Sequence, residues 1–131
     1  MKGIAVVGAV IFQNGKILAA KRKLSKQLGG LWEFPGGKIE ANELPSEALT
    51  REIKEELEAE IEILREIVTT KHHYDFATIE LTTFQCELKE NHLINKEHEE
   101  IKWLSVNELG TVEWAPADIP TIKWIRRNLV E

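Results

Sequence analysis

The sequence predicts an α/β fold of the α+β kind, with a mixed β-sheet packed between helices. Three observations predict it. Runs rich in Val and Ile, several of them alternating with polar residues, recur along most of the chain. Only two substantial segments carry the apolar spacing of a helix. No internal repeat, low-complexity tract or linker divides the 131 residues, and 43% apolar content with four Trp and four Phe is enough for one core, so residues 1–131 are read as a single domain.

Residues 4–12 and 16–22 flank Asn14-Gly15, a strong hairpin pair, and are expected to pair as antiparallel strands. Lys2 and the apolar run after it faintly resemble the start of a secretory signal. The run is too short to cross a bilayer and no small-residue cleavage site follows, so it is read as a strand. Gly29-Gly30 breaks the chain, 31–34 is a short apolar piece, and Pro35-Gly36-Gly37 is expected to be a tight loop using backbone conformations closed to most residues. From Pro45 to about Leu57 the period changes: Leu49, Ile53 and Leu57 repeat every four residues, Ala48 widens the stripe, and Pro45 suits a first turn. Residues 61–70 and 78–88 read as strands, and 101–104 as a shorter one. Ser105 and Glu108 have capping-box spacing and start a short helix. Asp118-Ile119-Pro120 opens the last helix, with Ile122, Ile125 and Leu129 on one side.

Charged residues make up 30% of the chain and the formal net charge is −5. That balance argues against a protein that holds a nucleic acid polymer or an anionic membrane by electrostatics alone, and a polyanionic ligand would need positive charge from elsewhere. The only cysteine, Cys86, lies in an alternating run and reads as a small core or sheet residue, consistent with a reducing, cytoplasmic setting.

The most informative segment is the acidic half of the first helix. Glu52 lies three residues from Glu55 and four from Glu56, so the three carboxylates project from neighbouring positions, off the apolar stripe. Near a helix C-terminus the macrodipole and mutual repulsion each disfavour such charges by a few tenths of a kcal/mol or more. Helix stability therefore does not explain the placement. Hard divalent cations such as Mg²⁺ prefer carboxylate and carbonyl oxygens and commonly bridge them to phosphates, which does explain it. Arg51, one turn before Glu55, can pair with a carboxylate and fix its orientation.

Residues 37–59 resemble the Nudix box, G-x5-E-x7-R-E-U-x-E-E-x-G-U with U aliphatic. They match at Gly37, Glu43, Arg51, Glu52, Ile53, Glu55 and Glu56, and depart at Glu58, where the family has Gly, and at Ala59, where it has a larger aliphatic residue. Trp32-Glu33-Phe34-Pro35-Gly36-Gly37-Lys38 is similar to the strand and turn before the box in MutT-type members. Trp114-Ala115-Pro116-Ala117-Asp118-Ile119-Pro120 looks like the end of the nucleotide pocket in the branch of CTP pyrophosphohydrolases and 8-oxo-dGTP diphosphatases. The resemblance implies an α/β/α sandwich around a mixed sheet.

It also implies roles. Glu52 and Glu56 would be the principal metal ligands, with Glu55 assisting and the Gly36 carbonyl contributing; the ion is expected to be Mg²⁺, with Mn²⁺ as an alternative. Glu97 is a further metal and catalytic candidate, and either Glu52 or Glu97 would serve as general base, a role that contributes about 10²- to 10⁴-fold. Arg51 is counted with the catalytic residues. Arg22, Phe34, Gly36, Gly37, Lys38 and Asp118 would meet the substrate: Arg22 at the phosphate and sugar, Lys38 near phosphate or in solvent, and Phe34 stacked on the base or in the core. Asp118 has two readings, as an N-cap or as the reader of the base edge, and as an ionised acceptor it would favour the donor edges of cytosine or guanine. His72 and His73 read as surface or pocket-rim residues.

The function expected is hydrolysis of a nucleoside triphosphate to the monophosphate and pyrophosphate, acting on a (d)CTP-type or oxidised purine nucleotide such as 8-oxo-dGTP, with no nucleic acid or membrane partner and as a monomer or homodimer. The alternatives are a Nudix hydrolase of ADP-ribose, a dinucleotide or capped RNA, or a non-catalytic nucleotide sensor.

Overall fold

The computed structural model describes residues 3–129. Strand β1 (Gly3–Gln13) turns at Asn14 and Gly15, both at positive φ (52° and 76°) as a type I′ turn demands, into β2 (Lys16–Lys21). The expected hairpin forms only at its tip, Phe12 opposite Ile17 and Gln13 opposite Lys16. Beyond it the two strands diverge into separate halves of the sheet. β1 runs parallel to β6 (Thr78–Leu88) and antiparallel to β4 (Gly36–Lys38), while β5 (Ile61–His73) pairs antiparallel outside β6. β2 lies between β3 (Trp32–Glu33) and β7 (Glu100–Ser105).

Each central strand is buried on both faces, and its period of two sorts side chains between two cores. Val7, Ala9, Ile11 and Leu18 face one side, where Ala48, Leu49, Ile53 and Leu57 of helix α1 (Pro45–Leu57) cover them. Val10, Ile17 and Ala19 face the other, under Leu104, Leu109 and Trp114 and under Ile122 and Ile125 of α2 (Ile119–Asn128). This is the mixed sheet between helices that the periodicities predict. Cys86 is fully buried on β6, and burial pushes its thiol up to about 12.

One local expectation is corrected. Pro35-Gly36-Gly37 is not a loop of unusual backbone: Gly36 and Gly37 have no positive φ and form β4 against β1. The short helix expected at Ser105 forms as a 3-10 helix (Val106–Thr111) with its capping box, the Glu108 carboxylate accepting from the Ser105 N–H at 2.9 Å.

Helix α1 opens at Leu44, whose N–H donates to Glu47 at 2.8 Å, with Pro45 just inside. It closes at Glu58, which takes the left-handed conformation (φ 50°, ψ 35°) normally given to glycine, its N–H donating to the Lys54 carbonyl at 3.0 Å.

Candidate active site

Packing the stripe of α1 onto β1 and β4 leaves the glutamates of its last two turns along the edge of β4. The glycines of β4 make this approach possible, through space rather than through backbone freedom. A Cβ on Gly36 would collide with the Val7 carbonyl, and one on Gly37 would collide with the Glu52 carboxylate.

Arg51 organises the cluster. Its guanidinium donates to Glu43 at 2.7 and 3.0 Å, to Glu52 at 2.8 Å, to Glu55 at 3.0 Å and to the Lys38 carbonyl at 3.0 Å. With all five of its N–H donors engaged, Arg51 orients carboxylates and has no donor left for a substrate. Hydrogen bonding to Arg51 holds the Glu43 carboxyl down at about 2. Glu56 has the opposite environment. It is only 8% exposed, and burial first, then the charges of Glu33, Glu52 and Glu97, push it up to about 9, partly offset by a backbone hydrogen bond from Gly36.

Glu52, Glu55, Glu56, Gly36 and Glu97 line one cleft of about 320 Å³, together with Glu33 and His98 and with the cations Arg22, Lys23 and Lys26. Arg22 sits where this cleft opens into a second of about 850 Å³, which shares Lys26, Glu33, Gly36 and Glu52 with it. The Arg22 guanidinium is set by the Gln27 carbonyl at 2.8 Å and by Glu33 at 3.0 Å. The lining of the second cleft includes the apolar Ile4, Val6, Phe34, Phe76, Ile79 and Leu81, together with Asp118 and Lys38.

Phe34 fills both of its expected places. It is 3% exposed, packs on Trp114 at 4.8 Å between centroids, and also lines the second cleft. Asp118 does not cap α2. Its backbone is helical and its side chain makes no capping bond; Oδ1 instead accepts from the Phe34 N–H at 3.2 Å. Burial, reinforced by the charge of Glu33, raises its carboxyl well above the ordinary range. The His72 ring lies tilted against Tyr74, 4.5 Å between centroids, and His73 bonds Thr78 through Nδ1 at 2.8 Å.

The structure adds residues that the sequence reading passed over. Glu33 bridges Arg22 and His98, whose Nε2 lies 3.1 Å from it. Period two alone could have found it, since Trp32 and Phe34 point to the core and leave Glu33 facing the other way. His98 was hidden inside a run of loop glutamates. Lys23 and Lys26 supply the positive charge that the acidic composition left unassigned. Tyr74 reaches the second cleft from the end of β5, its hydroxyl accepting from the Ala117 N–H at 2.9 Å.

Among the described residues no three His, Cys, Asp or Glu side chains form a closed metal-binding group. The donor chemistry nonetheless fits a hard cation. Only oxygen donors line the α1 side of the small cleft, the charges acting on Glu56 are all negative, and an open arrangement suits an ion that keeps waters and shares phosphate oxygens.

Comparison with known proteins agrees with this geometry. Residues 2–125 match the NUDIX domain. The chain is 37% identical over 123 residues to the CTP pyrophosphohydrolase of Escherichia coli K12, covering 94% of this chain and 91% of that protein. It is 28% identical over 121 residues to the 8-oxo-dGTP diphosphatase of the same organism, covering 92% and 94%. The solution structure of MutT, a Nudix hydrolase from methicillin-resistant Staphylococcus aureus 252, superposes with a TM-score of 0.79 at 46% identity, covering 97% of this chain and 98% of that one. With a match that runs nearly from end to end and has the glutamate-bearing helix at its centre, this chain belongs to the Nudix family of hydrolases.

Proposed function

We propose that the chain is a Mg²⁺-dependent nucleoside triphosphate pyrophosphohydrolase, releasing the nucleoside monophosphate and pyrophosphate from a (d)CTP-type nucleotide or an oxidised purine nucleotide such as 8-oxo-dGTP. The observation that carries this reading is the joining of two unlike clefts at Arg22. One is lined by glutamates and faced by three cations, the other has a largely apolar wall and includes the buried acid Asp118 in its lining. A triphosphate in the first and its base in the second would use both, with Arg22 between them.

Glu52 and Glu56, with Glu55, Glu97 and the Gly36 carbonyl, would hold the metal. When bound, it neutralises phosphate oxygens, activates water and stabilises the leaving group. The chain's own residues do the rest. Arg51 holds Glu52 and Glu55 in register, Lys23 and Lys26 offer charge to the phosphates, and Glu52 or Glu97 accepts a proton from water. Lys38 and Gly37 line the base cleft.

Burial of Asp118 favours its neutral form, which has one donor and one acceptor rather than acceptors alone. That pair matches the cytosine edge, where an N4–H donor adjoins the N3 acceptor, and the edge of an 8-oxopurine, where an N7–H adjoins O6. The matches to proteins named for CTP and for 8-oxo-dGTP support the same two substrates. The lone buried thiol of Cys86 suits a reducing cytoplasm.

The test is a panel of nucleoside triphosphates, ADP-ribose and dinucleotides incubated with Mg²⁺ in ¹⁸O-labelled water, with mass analysis of both products. The reading expects CTP-type or 8-oxoguanine substrates to lead, with label in pyrophosphate. Turnover of ADP-ribose or dinucleotides alone would overturn the substrate class, and label only in the monophosphate would overturn attack on the β-phosphorus.

A further inference from the structure

Glu97 reaches the small cleft from the segment between β6 and β7, yet it is exposed and belongs to no helix or strand. A side chain on such a segment is useful only if something holds the segment. Three sets of contacts do. The backbone docks on the open end of α1: the Ile94 N–H donates to the Leu57 carbonyl at 2.8 Å and the Lys96 N–H to the Glu56 carbonyl at 2.9 Å, satisfying acceptors that a helix terminus leaves unpaired. On one side of Glu97, Lys96 pairs with Glu58 at 2.8 Å, and His92 also approaches Glu58 at 3.5 Å. On the other side, His98, its side chain 5% exposed, bonds Glu33 at 3.1 Å, while Asn95 holds the His98 backbone at 2.9 and 3.0 Å.

We infer that Glu58 and Glu33 form a two-point brace, through Lys96 and His98, that positions Glu97 in the cleft before substrate arrives. The inference rests on the reading of this cleft as the hydrolytic site. It also accounts for Glu58 at the helix end. A glycine there would adopt the left-handed conformation without cost, whereas Glu58 adopts it against its preference. What the carboxylate provides in return is the grip on Lys96. An exposed ion pair of this kind adds little to global stability, so its consequence lies in where the neighbouring residue sits. Glu58 is thus a positioning residue that acts through Glu97, and Glu33, which also sets Arg22, contributes to the same positioning through His98.

Glu58→Gly separates position from stability, because it removes the ion pair and the backbone strain together. The expected result is a melting temperature no lower than wild type, faster hydrogen exchange at the Lys96 amide, and a kcat lower by about 3- to 10-fold with KM within about twofold, as expected for a displaced catalytic side chain. Glu58→Gln, which keeps the size without the charge, should fall between. On a Glu97→Gln background, Glu58→Gly should cost nothing further. His98→Gln, which retains a donor toward Glu33, should stay near wild type where His98→Leu does not. Unchanged exchange at Lys96 in Glu58→Gly overturns the brace whatever the substrate proves to be. Losses that multiply on the Glu97→Gln background overturn it while leaving the hydrolase reading intact. Wild-type turnover in Glu97→Gln overturns it as well. A wild-type protein that hydrolyses none of the panel removes the functional reading, and the exchange measurement still decides whether the brace exists.

Discussion

Glu56 makes the apo protein a measurable balance between folding and chemistry. Its carboxyl is pushed up to about 9 from an unfolded value near 4.5. An acid raised in this way contributes its full stability below the unfolded value, and that contribution is lost as pH rises through the folded one. At pH 7 the chain has crossed about 2.5 of those units, which at roughly 1.4 kcal/mol per unit amounts to about 3 kcal/mol. For a domain of this size that is on the order of 10 °C in melting temperature. Glu56→Gln keeps the shape of the neutral acid and cannot ionise. In EDTA its melting temperature should exceed that of wild type at pH 7, and the two curves should converge toward pH 4.5 and separate toward pH 9. Turnover with Mg²⁺ should fall by orders of magnitude in the same variant, since a metal-binding charge is gone. Calorimetry across pH 5–9 reads the first effect and steady-state kinetics the second. Parallel melting curves for the two proteins would refute the buried-acid argument, and near wild-type turnover would remove Glu56 from the metal site.

Other perturbations test the rest of the cluster. Gly37→Ala places a methyl group where the Glu52 carboxylate lies, so kcat should fall at least about tenfold while the fold persists; a melting curve and a rate measurement check both. Arg51→Lys replaces a fork that serves Glu43, Glu52, Glu55 and the Lys38 carbonyl with a single ammonium, and should lower turnover and raise the apparent Mg²⁺ requirement in a metal titration. Asp118→Asn should keep both the acceptor for the Phe34 N–H and the donor–acceptor pair of the neutral acid, so stability and the ranking of CTP, UTP and 8-oxo-dGTP should stay near wild type, whereas Asp118→Ala should lose that ranking; an unchanged ranking in Asp118→Ala would show that the base is read elsewhere.

Much of this was legible in the sequence because periodicity reports burial. The four-residue stripe of Leu49, Ile53 and Leu57 marked the face of α1 that packs, and so, by exclusion, the face that bears Glu52, Glu55 and Glu56. The Asn14-Gly15 pair fixed one turn. What escaped depends on tertiary placement. The divergence of β1 and β2 beyond their tip cannot be read from either strand, because each satisfies its pattern with partners far away in the chain. The need for Gly36 and Gly37 comes from what approaches them, not from their own dihedral angles. Asp118 looked like a cap because its neighbours Ile119 and Pro120 do begin a helix, yet its side chain is claimed by a backbone N–H 84 positions earlier. Glu33 and His98 gave no local signal as a pair, since 65 residues separate them.

The parallel pairing of β1 with β6 has a consequence for how the molecule is made. Gly3 finds its partner at Thr78 and Ile11 at Cys86, so β1 waits for all the elements between it and β6 to be synthesised before its central pairing can close. Contacts of such long range are slow to form. In the interval, Val7, Val10 and Ile11 lie on a strand with an open edge, the kind of surface on which nascent chains associate. The Asn14-Gly15 turn and the Gly36–Lys38 strand can engage β1 earlier, being close in sequence. They would shield one edge of it, and with it one wall of the future site, until residues 78–88 arrive to close the other.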